Sequence, residues 1–283
     1  IAANIGQALP ATAVRPWGRW GLRVAAIGYL GLMIAVPLSA VLANGLREGL
    51  AVFWADVTAP VAVEAMKLTL FVAVLMTVIN VVMGTLTAYV LVRYSFPGRA
   101  LLNAVVDLPF AIPTLVTGVM LVVLYGPQRL VGAWMESHGF QVIFAVPGIV
   151  LALLFVTYPF VVRTVQPVLM GAELKQEEAA LTLGATKWQT FWHVLLPTIT
   201  PAVVTGSILS FARSLGEFGS IVIVAGNIPN LTLTAPVYIY GQIESQNQRG
   251  ASALSTLLLA LSFALLIAVD WLQARRRARH VSQ

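Results

Sequence analysis

The sequence predicts an all-α membrane protein with six transmembrane helices and both termini in the cytoplasm. The chain of 283 residues is 59% hydrophobic and only 10% charged, whereas soluble domains carry about 25% charged residues. This composition excludes a water-soluble enzyme and a disordered chain. The apolar residues are concentrated in six long runs, and short basic clusters lie between them. Because the chain contains no cysteine, disulfides and Cys-ligated metals are excluded as well.

The six runs define the predicted organisation of the chain. A spanning helix needs roughly 20 mostly apolar residues. The stretches that satisfy this requirement are Leu22–Asn44, Met66–Val92, Leu101–Tyr125, Val142–Val162, Thr198–Ala225 and Ser252–Leu272. Residues 1–21 are then a cytoplasmic N-terminal segment, 22–272 the transmembrane domain and 273–283 a basic cytoplasmic tail. The first run is too long for a signal peptide.

Basic residues predict the orientation of these helices. Positively charged residues mark the cytoplasmic loops of membrane proteins. Twelve of the 17 lysines and arginines lie before the first predicted span, after the second, after the fourth or after the sixth, and four lie on the opposite side. An even number of spans with this asymmetry predicts two cytoplasmic termini. The net charge of +6 is therefore a topology signal, and we expect no nucleic acid as a partner.

The longest predicted cytoplasmic connection, 163–197, contains the most specific pattern in the chain. Glu177 and Glu178 are expected in a first short helix, near the end where the helix dipole favours negative charge. Gly184 is expected to end that helix in a left-handed conformation. Thr186 has the spacing of a capping box for a second short helix. These residues alone also allow an amphipathic helix pair that lies at the membrane surface.

The same segment resembles the EAA loop of ABC-importer permeases. It has Glu178-Ala179-Ala180, then Gly184 after three residues, and Val194-Leu195-Leu196-Pro197 after nine more, with valine where that family pattern has isoleucine. The resemblance implies that the helix pair docks in a groove of a cytoplasmic ATPase and transmits its closure. The residues assigned to this contact are Glu177, Glu178, Ala179, Ala180, Leu183, Gly184, Ala185, Thr186 and Trp188.

Four further segments resemble the sulfate/thiosulfate permeases, and within that group the T subunit: 93–99, 107–114, 162–169 and 214–219. Molybdate permeases share the Gly-Glu-Phe-Gly element and the EAA loop. The resemblance implies a type I ABC importer permease fold and sulfate as cargo, with thiosulfate as an additional candidate. It also implies a homologous second permease subunit, two ATP-binding subunits and an external sulfate-binding protein as partners, besides membrane lipids.

No motif in the chain supports catalysis. A phosphate-binding P-loop needs a lysine directly after glycine, and none of the three lysines follows one. The three histidines are dispersed without metal-ligand spacing. We therefore expect no enzyme activity, no metal and no cofactor bound by this chain, with ATP and Mg²⁺ on a partner ATPase.

A polar stripe marks the fifth predicted span. It consists of Ser207, Ser210, Arg213, Ser214, Glu217 and Ser220, which on one continuous helix fall within about 140° of one face. Charged groups inside a membrane are costly and usually face a cavity or a partner. Serine hydroxyls and a guanidinium offer donors to a dianion, so the stripe predicts an anion path. Tight helix packing with an internal ion pair between Arg213 and Glu217 is the alternative.

Two other parts of the chain are weaker candidates. The prolines in Asp107–Thr114 are expected to break the third span, and Asp107 is expected to cap a neighbouring helix or to pair with Arg99. The external connections Gly126–Gln141 and Gly226–Gly250 are expected to offer the landing surface for the binding protein.

Three alternatives to sulfate import remain open at the level of the sequence. A molybdate or tungstate permease would share most of the motifs. An ion-coupled secondary transporter would need intramembrane acids and inverted repeats, and it would leave the EAA loop unexplained. In a membrane scaffold or receptor, the tryptophans of the loop would act only as anchors.

Overall fold

The computed structural model describes the backbone of residues 16–171 and 174–281, and the side chains of residues 20–171, 176–265 and 267. Within these ranges the chain is helical and has no β-strand. In chain order the α-helices are α1 Pro16–Leu30, α2 Val36–Leu46, α3 Leu50–Val57, α4 Pro60–Arg93, α5 Arg99–Ala111, α6 Thr114–Tyr125, α7 Leu130–Ser137, α8 Val146–Gly171, α9 Leu174–Thr182, α10 Lys187–Thr190, α11 Leu196–Leu215, α12 Gly219–Val224, α13 Ala235–Glu244 and α14 Gln248–Val281. Two π-helical segments, Gly31–Ala35 and Phe191–Leu195, join α1 to α2 and α10 to α11 without interruption.

Four described helical stretches are long and apolar enough to cross a membrane. They are Trp20–Leu46, Pro60–Arg93, Val146–Gly171 and Lys187–Leu215. Helices α5 and α6 satisfy the same test only as a pair, bent by 114°. The sixth predicted span, Ser252–Leu272, lies in α14, and its side chains at 266 and from 268 onward are outside the described residues. The structure thus supports at least four spans.

The break in the third predicted span follows directly from proline chemistry. Ile112, the first residue after α5, is extended (φ −87°, ψ 125°), and Pro113 directly precedes α6. A proline disfavours helical geometry at the residue before it and cannot donate a backbone hydrogen bond. The predicted break is confirmed: the chain changes direction at the middle of the predicted span Leu101–Tyr125.

Helical structure extends into the predicted connection 163–197 from both sides. Helix α8 does not end near Val162 but continues to Gly171, because the charge of Arg163 is neutralised within the helix bundle. At the other end, the second short helix continues into α11, so that Lys187–Leu215 is one helix. Only residues 172–186, which include α9, remain between the two long helices.

The core of the bundle forms where α4 and α11 cross α8. A Cβ atom at Gly84 would lie 2.9 Å from Cβ of Val161, and one at Gly206 would lie 2.9 Å from Cα of the same valine. Val161 is fully buried and belongs to a cluster with residues of α4, α5 and α11. Small residues at such crossings allow helix backbones to approach closely in membranes. Glycine is therefore required at both positions by space.

Two buried polar side chains in this core, one on α4 and one on α8, pair with each other. Asn80 of α4 donates a hydrogen bond of 2.8 Å to Oγ1 of Thr157 on α8, and both side chains are buried. Thr157 in turn donates to the carbonyl of Leu153 at 2.7 Å. Such interhelical bonds satisfy groups that would be costly to leave unpaired in hydrocarbon.

A second close approach joins the half-helices that follow the two breaks in the bundle. A Cβ atom at Gly118 of α6 would lie 2.8 Å from the carbonyl oxygen of Ser220 on α12, and one at Gly219 would overlap Thr114. The half-helices α6 and α12 therefore pack backbone against backbone. This contact gives each broken span a partner for its second half.

We predict that replacement of Gly206 by valine lowers the stability of the bundle, because the added methyl groups have no space between α11 and α8. Overpacking of this kind costs about 1–3 kcal/mol. Gly241→Val is the matched control, since Gly241 is a helical glycine with open space around it. Thermal unfolding of the purified proteins in detergent measures the difference, and equal melting temperatures for the two variants would contradict the packing argument.

Candidate functional site

Helix α9 ends in the turn that the sequence predicts. Gly184 has φ +89°, a conformation that glycine adopts at little cost. Its N–H bonds the carbonyl of Leu181 at 3.0 Å, and the N–H of Ala185 bonds the carbonyl of Ala180 at 3.0 Å. These two bonds form a Schellman motif. The prediction for Gly184 is confirmed.

The capping box that begins α10 is also confirmed. Oγ1 of Thr186 accepts from the backbone N–H of Gln189 at 3.2 Å, and Oε1 of Gln189 accepts from the N–H of Thr186 at 2.8 Å. This local pairing stabilises the first turn. Because α10 and α11 belong to one helix, Lys187–Leu215, this turn is continuous with a stretch long and apolar enough to cross a membrane.

Helices α9 and α10 and the turn between them, hereafter the loop helix pair, expose most of the residues assigned to the ATPase contact. Leu183 is 89% exposed and Trp188 69% exposed. Glu178, Ala179, Gly184 and Thr186 are exposed too, whereas Ala180 and Ala185 are half-buried. Large apolar side chains on a rigid helical turn are typical of an interaction surface. The exposed set therefore provides a contact surface that this chain leaves open.

Glu177 differs from the other members of the assigned set. Its carboxylate forms an ion pair with Arg93, the last residue of α4, and the two side chains are 18% and 11% exposed. The structure thus directs Glu177 toward the bundle. The sequence does not predict this partner for Arg93, because the contact joins residues 84 positions apart.

The fifth predicted span is not one helix, so the prediction of Thr198–Ala225 as a continuous span is wrong. Helix α11 ends at Leu215, and α12 begins at Gly219. The residues between them leave the helical path, which removes the common face that a continuous helix would give the polar stripe.

Glu217 holds this break together. It is 1% exposed, and its Oε1 accepts from the N–H and from the hydroxyl of Ser220, both at 2.9 Å. Its Oε2 lies 2.7 Å from Nη2 of Arg213. One carboxylate therefore accepts the hydrogen bonds of Ser220 at the start of α12 and neutralises the charge of Arg213 in the last turn of α11. The ion pair that the sequence offered as an alternative is confirmed.

Most serines of the stripe are buried within the bundle, so the prediction that they form one exposed row of hydroxyls is wrong. Ser210, Ser214 and Ser220 are buried. The hydroxyl of Ser214 donates to the carbonyl of Phe211 at 2.6 Å, and that of Ser207 donates to the carbonyl of Val204 at 2.7 Å. Only Ser207 and Arg213 keep partly exposed side chains.

Arg163 forms a polar network that the sequence did not reveal. Its Nε and Nη2 donate to the two carboxylate oxygens of Asp107 at 2.7 and 2.6 Å. The same guanidinium bonds the side chain and the carbonyl of Asn103 at 2.9 and 2.7 Å, and also contacts Gln166. The predicted pairing of Asp107 with Arg99 is wrong, because α8 extends far enough to place Arg163 beside α5. This bidentate pair fixes α5 against α8.

The opposite end of the bundle carries a second polar cluster around Arg249. Its guanidinium lies 2.7 Å from Glu48 and 2.9 Å from Asp56, and these hydrogen bonds raise the pKa of Arg249. A cleft of about 480 Å³ lies beside it. It is lined by Asn44, Arg47, Glu48, Gln246, Asn247, Gln248 and Arg249. Among the described residues, no three histidine, aspartate or glutamate side chains converge as metal ligands.

We predict that Glu217→Ala destabilises the protein, because it leaves the Ser220 donors and the Arg213 charge without their partner. Removing one member of a buried ion pair costs about 3–5 kcal/mol. Glu136→Ala is the control, since Glu136 is exposed on α7. Thermal unfolding in detergent is the measurement. If Glu217→Ala melts no earlier than the control variant, the carboxylate does not hold the break.

Comparison with known proteins assigns the fold and the family. The chain is 47% identical to a probable sulfate transport system permease protein of Nephroselmis olivacea, over 88% of each chain. It is 42% identical to the sulfate transport system permease protein CysT of Escherichia coli, over 87% of this chain and 89% of the relative. A chain in the crystal structure of a bacterial alginate ABC transporter has the same fold, with a TM-score of 0.77 at 18% identity and 92% and 95% coverage.

Residues 80–278 match the family described as "Binding-protein-dependent transport system inner membrane component". The matched region contains the loop helix pair, the Arg213–Glu217 break and the Arg163 network. The family match and the CysT relatives assign the chain to the inner membrane, as a multi-pass and non-catalytic subunit of a transporter. The chain belongs to the family of binding-protein-dependent transport system inner membrane components, together with the CysT permease proteins.

Proposed function

We propose that this chain is the permease subunit of an ATP-driven importer of sulfate, with thiosulfate as a second candidate cargo. The observation that carries the proposal is the loop helix pair, whose exposed surface is continuous with the membrane-spanning helix Lys187–Leu215. Sulfate is the cargo named for the relatives that are 42–47% identical over most of the chain. Molybdate and tungstate are the rival oxyanions.

The proposed topology has six spans and two cytoplasmic termini. The bent pair α5–α6 contributes the third span and α14 the sixth. Arg93, at the end of α4, contacts the loop helix pair, so both lie at one end of the bundle, where the cytoplasmic loops would be. The Arg249 cluster, which includes the last residues of the connection Gly226–Gly250, then lies at the external end.

The proposed complex has a second, homologous permease subunit, with the pore between the two, and two ATP-binding subunits. ATP and Mg²⁺ are held by those subunits. An external sulfate-binding protein delivers the anion, as the solved alginate transporter is in complex with a periplasmic protein. The most apolar window of Trp20–Leu46 has no buried residue in this chain, which leaves that helix free to contact lipid or the second permease.

The mechanism follows from helix continuity. Closure of the ATPase subunits displaces the loop helix pair, and the displacement passes along one helix from Lys187 to the break after Leu215. At 1.5 Å per residue this distance is about 40 Å. The force thus arrives at the Arg213–Glu217 pair, where the half-helix α12 begins. A rotation of α11 would move α12 and, through Gly118 and Gly219, α6.

Arg213 is the proposed anion contact on this path. Its side chain is 35% exposed while its partner Glu217 is 1% exposed, so the guanidinium has one buried partner and one accessible side. A dianion approaching that side would meet a charged donor. The buried carboxylate reduces the net positive charge, which favours release over tight binding.

We predict that Gly184→Val lowers sulfate uptake by reconstituted complexes more than tenfold, because a β-branched residue is strained at φ +89° and the turn between α9 and α10 must rearrange. Gly98→Val is the matched control. Gly98 has φ +90° and, like Gly184, open space around its Cβ position, but it lies outside the loop helix pair.

Uptake and ATP hydrolysis measured together separate the outcomes. Gly98→Val carries the same backbone strain of roughly 1–2 kcal/mol. Because this strain lies outside the loop helix pair, we expect the variant to keep uptake within about twofold of the wild type. If both variants lose uptake equally, general strain explains the loss and the loop helix pair has no special role.

We also predict that Arg213→Ala lowers sulfate uptake about tenfold or more, through loss of the charged donor. Arg213→Lys keeps the charge and retains part of the uptake. Lys67→Ala is the control, because Lys67 is 66% exposed and lies outside every surface assigned above to the cargo, the ATPase or the binding protein. The anion path through Arg213 is rejected if Arg213→Ala imports sulfate at the wild-type rate with unchanged ATP consumption.

A further inference from the structure

The described side chains of α9 provide little apolar packing against the bundle. No described side chain of α9, from residue 176 to 182, is buried. Helices in folded proteins are usually held by a buried apolar face. A polar contact that orients α9 relative to the long helices is therefore of particular interest.

Among the described side chains, an ion pair between Arg93 and Glu177 joins α9 to the end of α4. The two side chains are 11% and 18% exposed, so both charges are largely removed from water. Loss of one partner would leave the other without compensation in a poorly solvated place. Nε of Arg93 is buried without a hydrogen-bond partner, which makes Arg93 depend on Glu177 for its pairing.

Arg93 lies at the end of a long helix that belongs to the core of the bundle. It is the last residue of α4, the 34-residue helix that packs against α8 and α11 in the core. One turn earlier, the ring of Tyr89 lies 6.3 Å from that of Phe191, which follows α10. The end of α4 therefore contacts both α9 and the π-helical segment that follows α10.

We propose that Arg93 and Glu177 are positioning residues, which set the orientation of α9 and pass its displacement to α4. Movement of the loop helix pair then reaches the bundle by two routes, along the backbone into α11 and through this ion pair into α4. The two helices meet again at α8, so they are displaced together. This inference rests on the proposed function, because it assumes that the loop helix pair is moved by an ATPase.

A functional test uses the reconstituted complex with its ATPase subunits and binding protein, and measures sulfate ions imported per ATP hydrolysed. We expect Arg93→Gln and Glu177→Gln each to lower this ratio about tenfold, a size consistent with coupling between contacting residues. The charge swap Arg93→Glu with Glu177→Arg restores at least half of the ratio. Lys67→Gln is the control, since the Lys67–Glu64 pair on the same helix is 66% and 45% exposed.

A structural test does not depend on transport. The chain contains no cysteine, so Thr182→Cys gives a single site for a spin label on the exposed end of α9. In full-length protein in nanodiscs, we expect the label to become more mobile in Arg93→Gln and to regain its wild-type spectrum in the charge swap. Lys67→Gln leaves the spectrum unchanged.

The two tests separate the inference from the proposed function. An unchanged label spectrum and an unchanged import ratio in the Arg93 and Glu177 variants would overturn the inference while sulfate import stands. If the wild-type complex imports no sulfate, the proposed function fails, and the label mobility still decides whether the ion pair orients α9. A charge swap that stays as mobile as the single variants would also overturn it.

Discussion

The satisfaction of backbone hydrogen bonds is the constraint on which the rest of this structure depends. A bilayer core offers no water to an unpaired amide or carbonyl, so spanning segments must be helical and each interruption needs a partner within the protein. The bundle has one interruption before α6, at Pro113, and one before α12, at Glu217. Their second halves pack on each other at Gly118 and Gly219, and Glu217 accepts the hydrogen bonds that begin α12.

Apart from the exposed Lys67–Glu64 pair, each described ion pair has a structural assignment. Arg163 fixes α5 to α8, Arg93 fixes α9 to α4, and Arg249 joins the start of α14 to α2 and α3. Arg213 is paired with a buried acid at the break in the fifth span. The basic residues that predict the orientation of the chain are thus largely separate from cargo recognition, for which Arg213 is the proposed group.

Local features were predictable from the sequence, and contacts between distant residues were not. The left-handed turn at Gly184 and the capping box at Thr186 depend on a few consecutive residues, so both predictions are confirmed. The extension of α8 past Arg163 depends on Asp107, 56 positions away. A charge at the end of an apolar run looks like a loop until its partner is known. The break at Glu217 was not predicted either, because the hydrophobic pattern indicates one continuous helix. The break is stabilised by contacts of the Glu217 carboxylate with Ser220 and Arg213, which the pattern does not reveal.

The central claim is that ATP-driven movement of the loop helix pair imports sulfate through this subunit. Uptake of labelled sulfate into proteoliposomes, with the complete complex, its binding protein and no ion gradient, tests it most directly. The account predicts uptake that requires ATP hydrolysis and that excess unlabelled sulfate suppresses more strongly than molybdate does. Uptake that proceeds without ATP when an ion gradient is imposed would contradict it.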